Sequence, residues 1–187
     1  MPGKSRLLPL GKVRFVKELY PRLKADDDAI ERYRQALDLL PPIVVARDGI
    51  LVDGYHRWQA HTREGAENIK AEDLGNLSDA EIMREAITRN ATHGQQLSNK
   101  DKQYLAQSYY GKLDQLPNAE RIREIAELLA VNERSVQRWT KDARKAEKQA
   151  QQDKAWEMHL HCFTQQQIAD ALNVDQTSVA GWLREKR

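Results

Sequence analysis

Ile125-Ala-Glu-Leu-Leu-Ala-Val-Asn-Glu-Arg-Ser-Val-Gln-Arg-Trp139 is written a second time, with changes, as Ile168-Ala-Asp-Ala-Leu-Asn-Val-Asp-Gln-Thr-Ser-Val-Ala-Gly-Trp182. Ile125, Ala126, Leu129, Val131, Ser135, Val136 and Trp139 recur as Ile168, Ala169, Leu172, Val174, Ser178, Val179 and Trp182. The offset is constant at roughly forty residues, so the chain holds an internal repeat. Each copy has the spacing of a helix-turn-helix. An Ala sits where two helices cross closely, an aliphatic residue follows the turn, and a Val and a Trp pack the second helix back onto the first. Two such units point first to nucleic-acid binding.

In the first copy, 122–129 reads as the supporting helix, and Asn132 as the N-cap of the second. That second helix turns Glu133, Arg134, Gln137 and Arg138 outward, with Val136 and Trp139 facing in. Arg and Gln are the side chains that read guanine and adenine edges bidentately in the major groove. Lys141, Arg144, Lys145 and Lys148 continue the basic character and suit phosphate contacts. In the second copy Thr164 and Asp175 read as the two caps. The outward positions Gln176, Thr177, Ala180 and Gly181 are small or neutral, and Gly181 weakens the helix itself. The copy at 122–139 is therefore the expected base reader. The second serves as an auxiliary DNA contact or in dimerisation. Neither copy has the turn glycine usual in this motif. Ala130 and Asn173 stand there, and Ala tolerates the left-handed conformation poorly, so the first turn is expected to be longer than the standard form.

Composition sets outer bounds. The chain has 187 residues and a net charge of +2, so it lacks the global basic excess of a coating protein, and a DNA-binding face must come from local clustering. One cysteine, Cys162, excludes an intramolecular disulfide and a cysteine-based zinc site. It reads as a small buried residue. His159 and His161 project about 200° apart on a helix and suit no shared metal. No apolar run approaches a membrane span, and the start, with Lys4 and Arg6, lacks the apolar stretch of a signal peptide. A cytoplasmic protein, associated with nucleoid, plasmid or phage DNA and with no membrane partner, is expected.

Ahead of the repeat the pattern is mixed. Residues 1–24 read as a basic arm with a short extended piece around Val13–Val16. Asp26–Asp28 open an amphipathic helix carrying Ile30, Tyr33 and Leu37, which runs to about Leu40 and is stopped by Pro41-Pro42. Two β-branched runs, 43–46 and 50–52, flank Asp48-Gly49 as a hairpin. A helix follows from Tyr55 to Glu64, closed by Gly65, then a short strand at 68–71. Ser78 and Glu81 form a capping box for a helix to about Asn90, with a turn at Thr92-His93-Gly94. Ser98 caps another helix, 99 to about 116, in which Tyr104, Tyr109 and Tyr110 pack. Lys141 to Gln152 reads as a solvated helix or a tether.

Val52-Asp-Gly-Tyr-His-Arg-Trp-Gln-Ala60 is a strand end, a glycine, then His56 and Arg57 at a helix N-terminus. Free backbone N–H groups, the helix dipole and the two side chains suit an oxyanion there. Together with Leu40-Pro-Pro-Ile-Val-Val45 and Asn90-Ala-Thr-His-Gly-Gln-Gln-Leu-Ser98, this stretch resembles the ParB/sulfiredoxin-like fold. It is most similar to ParB-like domains of bacterial regulators and of plasmid or phage proteins, which precede a helix-turn-helix. The resemblance covers about residues 10–110. It implies that Gly54, His56 and Arg57 hold the phosphates of CTP or ATP with Mg²⁺. It also implies that Asn90 opens the second nucleotide segment, and that His93 and Gly94 belong to the His-Gly version of that segment. Tyr55 occupies the position of the sulfiredoxin cysteine, which excludes that chemistry.

The sequence thus predicts an α+β protein. A ParB-like α/β domain with its arm spans 1–95, a helical region with the first helix-turn-helix spans 96–145, and a helical linker with the second spans 146–187. The expected partners are double-stranded DNA, a nucleotide and a second copy in a homodimer. Two other classes stand beside a partition or regulatory DNA binder. One is a nucleotide hydrolase (CTPase or ATPase) or DNase on the same fold; the other is an assembly protein using the second helix-turn-helix.

Overall fold

Asp48 and Gly49 both take positive φ, 53° and 76°, the conformation that lets a tight turn follow the twist of a hairpin. The turn joins β2 (Ile43–Val45) to β3 (Leu51–Asp53), which pair antiparallel. A side chain at Gly49 would meet the Lys12 carbonyl oxygen at 2.1 Å, because the preceding segment runs against the turn and Arg14 donates its N–H to the Gly49 carbonyl (2.8 Å). The computed structural model describes residues 5–21, 26–93 and 97–186. It divides the chain into two compact units, 1–137 and 138–187.

In the first unit, β1 (Ser5–Pro9) and β4 (Asn68–Asp73) complete a four-stranded sheet of order β1-β4-β2-β3, with β1 antiparallel and β2 parallel to β4. The expected arm is therefore partly a strand, and the extended piece expected at 13–16 contributes only an isolated bridge between Arg14 and Ile50. Strand alternation sends Leu8, Ile43, Val45, Leu51, Ile69 and Ala71 to one face, where Phe15, Tyr55 and Trp58 pack on them. The register places Glu72 of β4 and Asp53 of β3 on either side of Val44 of β2, so these two carboxylates share a rung on the opposite face.

Helix α1 (Asp27–Arg34) is capped by Asp26, whose carboxylate accepts the Ala29 N–H, and it ends earlier than its periodicity suggested, giving way to a tight turn at Leu37–Leu39. Helix α2 (Tyr55–Arg63) follows β3 directly. Helix α3 (Asp79–His93) buries Ile82, Met83, Ala86 and Ile87. It runs through Thr92 and His93, so the turn expected there does not begin at Thr92, and Gly94 lies outside the described residues. Helix α4 (Asn99–Tyr110) has the Ser98–Asp101 capping box and stops short of the expected 116. Buried Arg121 donates to the Leu116 and Asp114 carbonyls and holds the turn that follows.

Helices α5 (Asn118–Leu128) and α6 (Glu133–Trp139) form the first copy of the repeat, and the division between the units falls within α6. Helix α4 packs on α5 from behind. The second unit is α7 (Lys141–Leu160), α8 (Gln165–Leu172) and α9 (Gln176–Glu185) around Ala155, Ile168, Ala169, Val179 and Leu183. Of the two states expected for 141–152, the continuous helix is the one observed. Both turns are built alike. Ala130 and Asn173 take φ 49° and 52°, and the next residue in each copy, Val131 or Val174, donates its N–H to the carbonyl of Ala126 or Ala169 at 3.0 Å. The first turn is thus not longer than the second: Ala130 itself adopts the left-handed conformation, and the Val131 bond to Ala126 closes the turn at the same length. Two further expectations change. Cys162 is exposed, at φ 65° past the end of α7, and Asp175 occupies the N-cap position of α9 without a side-chain capping bond.

Candidate phosphate and nucleic-acid sites

Gly54 is the N-cap of α2 at φ 97°, and it supplies no side-chain acceptor to the first turn. Arg57 folds back over it. A β-carbon at position 54 would meet Arg57 Nη2 and Ile43 Cγ2 at 2.8 Å, so glycine is what lets the guanidinium lie there. Arg57 Nη2 donates to Asp53 Oδ2 at 2.9 Å, which leaves the rest of its donor fork unused among the described residues. His56 also makes a bond that its spacing does not suggest. Its Nε2 accepts the Asp26 backbone N–H at 3.0 Å, tying the start of α1 to the start of α2 and leaving Nδ1 to carry the ring proton.

These groups line a cavity of about 710 Å³. Asp53, Gly54, His56 and Arg57 form one wall, and Val44 and Glu72 line it from the sheet. Asp26, Arg32 and Tyr33 come from α1 and its cap, and Arg89 and Asn90 from α3. Asn90 is buried and donates to the Ala86 carbonyl at 2.8 Å. Arg89 lies 3.5 Å from Glu72 and 3.2 Å from Glu85. The structure therefore gathers Gly54, His56, Arg57 and Asn90 around one space. His93 lies in the last turn of α3. Among the described residues no group of three or more His, Cys, Asp or Glu could hold a metal ion by itself. The two sheet carboxylates that line the cavity, Asp53 and Glu72, lie 2.9 Å from Arg57 and 3.5 Å from Arg89.

On α6 the outward row is as its spacing implies. Arg134, Gln137 and Arg138 are exposed and Val136 is fully buried. The Asn132 side chain accepts the Arg134 N–H at 2.8 Å, which caps the helix. In the second unit, Lys141 and Lys145 are exposed on the first turns of α7 and Arg144 is half-buried between them. Gln176 and Thr177 are exposed on the first turn of α9, while Ala180 and Gly181 are half-buried.

No family model matches this sequence, and no curated protein does. Solved structures do match. A pNOB8-like ParB N-domain shares 15% identity over 73% of this chain and 63% of that chain, with a TM-score of 0.54. A second crystal form of a pNOB8-like ParB N-domain shares 14% identity over 74% and 68%, with a TM-score of 0.50. This chain has the ParB N-domain fold. It spans 63% of the length of the first of those structures. A C-terminally truncated Caulobacter crescentus ParB complexed with CTP-γ-S also matches, at 21% identity over 73% of this chain and 77% of that one, with a TM-score of 0.43. No helix among the described residues is long and apolar enough to cross a membrane.

Within this ParB fold, Arg32, Asp53, Glu72 and Arg89 are charged cavity residues that the sequence did not single out. Arg32 and Arg89 lie in helices where an arginine among acids reads as a solvated face. Glu72 became visible only with the strand register. The proximity of Asp53 to Arg57, one helical turn apart at a helix start, is the one signal that could have been read.

Proposed function

We propose that this protein is a ParB-type, sequence-specific DNA-binding protein of partition or of transcriptional or replicative control, acting as a homodimer in the cytoplasm on nucleoid, plasmid or phage DNA. The observation that carries the reading is the exposed row Arg134, Gln137 and Arg138 on a short capped helix held by a buried Val136. These side chains suit guanine and adenine edges in the major groove. Lys141, Arg144 and Lys145 on α7 add phosphate contacts, which fix position and bring salt dependence. Gln176 and Thr177 give α9 an auxiliary role. The cavity at Gly54, His56, Arg57 and Asn90 takes the phosphates of CTP or ATP. Gly54 leaves the helix start open, Arg57 supplies donors, and His56 acts by fixing α1 against α2.

The test is selection of a duplex site followed by binding titrations of wild type and Arg138→Ala. The variant is expected to lose roughly 1–3 kcal/mol at the selected site and to relax base preference at one position. A variant that binds the site like wild type removes α6 as the reader.

A further inference from the structure

The outward row of α6 begins with an acid. Glu133, the first residue of the helix, is exposed and stands one turn before Gln137, so the two share one line along the helix. A carboxylate on a face that meets DNA works against the phosphates, and it weakens binding to any duplex in which no base offsets it. The helix does not need this side chain as its cap. Asn132 fills that place, its side chain accepting the Arg134 N–H at 2.8 Å. Arg123 and Glu127 of α5 border the same shallow groove, and neither forms an ion pair with Glu133 among the described residues. The Glu133 carboxylate is thus available to a partner outside the chain. The second copy differs here. At the equivalent place α9 carries Gln176, also exposed, which has the same length but sets an amide donor beside its acceptor.

We infer that Glu133 is a specificity residue: it accepts from the N4 amino group of a cytosine in the major groove and so fixes one C·G pair in the DNA site. This deepens the base-reading role given to α6 above and rests on it. Base-edge chemistry decides the partner. An ionised glutamate has acceptors only. Guanine offers two acceptors, thymine an acceptor and a methyl group, and adenine sets its N7 acceptor beside the N6 donor. Cytosine alone offers a donor with no acceptor of its own beside it. The N-terminal residues of a recognition helix are the ones that reach base edges, and Glu133 lies among them. The acid lowers affinity for every other base at that position, so discrimination comes from repulsion as well as attraction. An acid in a first turn also favours the helix macrodipole. That role alone gives a different result, a less stable helix and equal weakening on every duplex.

Full-length wild type, Glu133→Gln and Glu133→Ala are titrated with the duplex that wild type selects from a random pool, with its single-pair variants and with a random-sequence duplex. Circular dichroism verifies folding. Wild type is expected to demand C at one position. Glu133→Ala should lose that preference, about tenfold, while binding the random duplex about twofold more tightly at low salt. Glu133→Gln should move the preference at that position from C to A, the base whose edge an amide matches. Equal weakening on all duplexes, or an unchanged preference at every position, overturns the role of Glu133 and leaves Arg134, Gln137 and Arg138 as the readers. Wild type that selects no sequence overturns the base-reading role of α6, and that of Glu133 with it.

Discussion

Replacing Ala130 by glycine should stabilise the protein. Ala130 sits at φ 49°, where an L-residue with a β-carbon costs roughly 1–2 kcal/mol relative to the right-handed region. Glycine escapes that cost but loses about 0.4–1 kcal/mol more chain entropy on folding. The difference leaves a gain of about 0.5–1 kcal/mol for Ala130→Gly. The second copy is the internal control. Asn173 holds the same conformation at φ 52° with the same bond from the following valine, and asparagine tolerates it. Asn173→Gly should therefore change stability by less than about 0.5 kcal/mol, and Asn173→Ala should cost about 1 kcal/mol. Urea unfolding followed by circular dichroism reads the effects as midpoint shifts at constant slope. Position 130 lies in the unit 1–137 and position 173 in the unit 138–187. If Ala130→Gly lowered the midpoint, or if the two alanine-bearing turns behaved no differently from the glycine-bearing ones, the strain argument would be wrong.

Two further outcomes concern the first unit. Arg57→Ala should abolish nucleotide binding in a direct titration while the circular dichroism of the helices is kept; unchanged nucleotide affinity would remove the phosphate assignment. Asp79 accepts Lys112 Nζ at 2.7 Å and is also paired with Arg47, and these cations, Lys112 first, hold its carboxyl below the ordinary value. A depressed folded-state value means the stabilisation is complete at neutral pH and is lost as pH falls below about 4. With its side chain about a third exposed, solvent limits the contribution to under about 1 kcal/mol, and Lys112→Met should flatten the acid limb of stability against pH.

The residues explain which parts could be read in advance. The hairpin at 43–53 was legible because Asp48-Gly49 is the pair that a tight turn demands, and β-branched runs flank it. The α2 start was legible because strand alternation stops at Gly54. Strand β1 was not, since Ser5–Pro9 mixes a basic residue, two leucines and a terminal proline, and only pairing with Asn68–Glu72 makes it a strand. His56 lines the cavity, but its bond to Asp26 depends on a contact thirty positions away that no local pattern encodes. Arg32 lies on a helix whose Asp27, Glu31 and Arg34 form ion pairs, and no local pattern tells which of these charges faces the cavity.

The shared apolar skeleton of the two helix pairs has a consequence for how the chain finds its structure. Ile125, Ala126, Val136 and Trp139 present to a folding helix the same apolar side chains as Ile168, Ala169, Val179 and Trp182, so α5 could dock on α9 nearly as well as on α6. Core complementarity does not separate right from wrong pairing here. Chain connectivity does: α5 reaches α6 across 129–132, whereas reaching α9 would close a loop over the whole of 129–175. The closure entropy favours the short loop by about 2 kcal/mol, enough to order the pairings along one chain. At high concentration that protection vanishes, because helices of separate molecules compete, and exchanged dimers during refolding are the expected failure of this architecture.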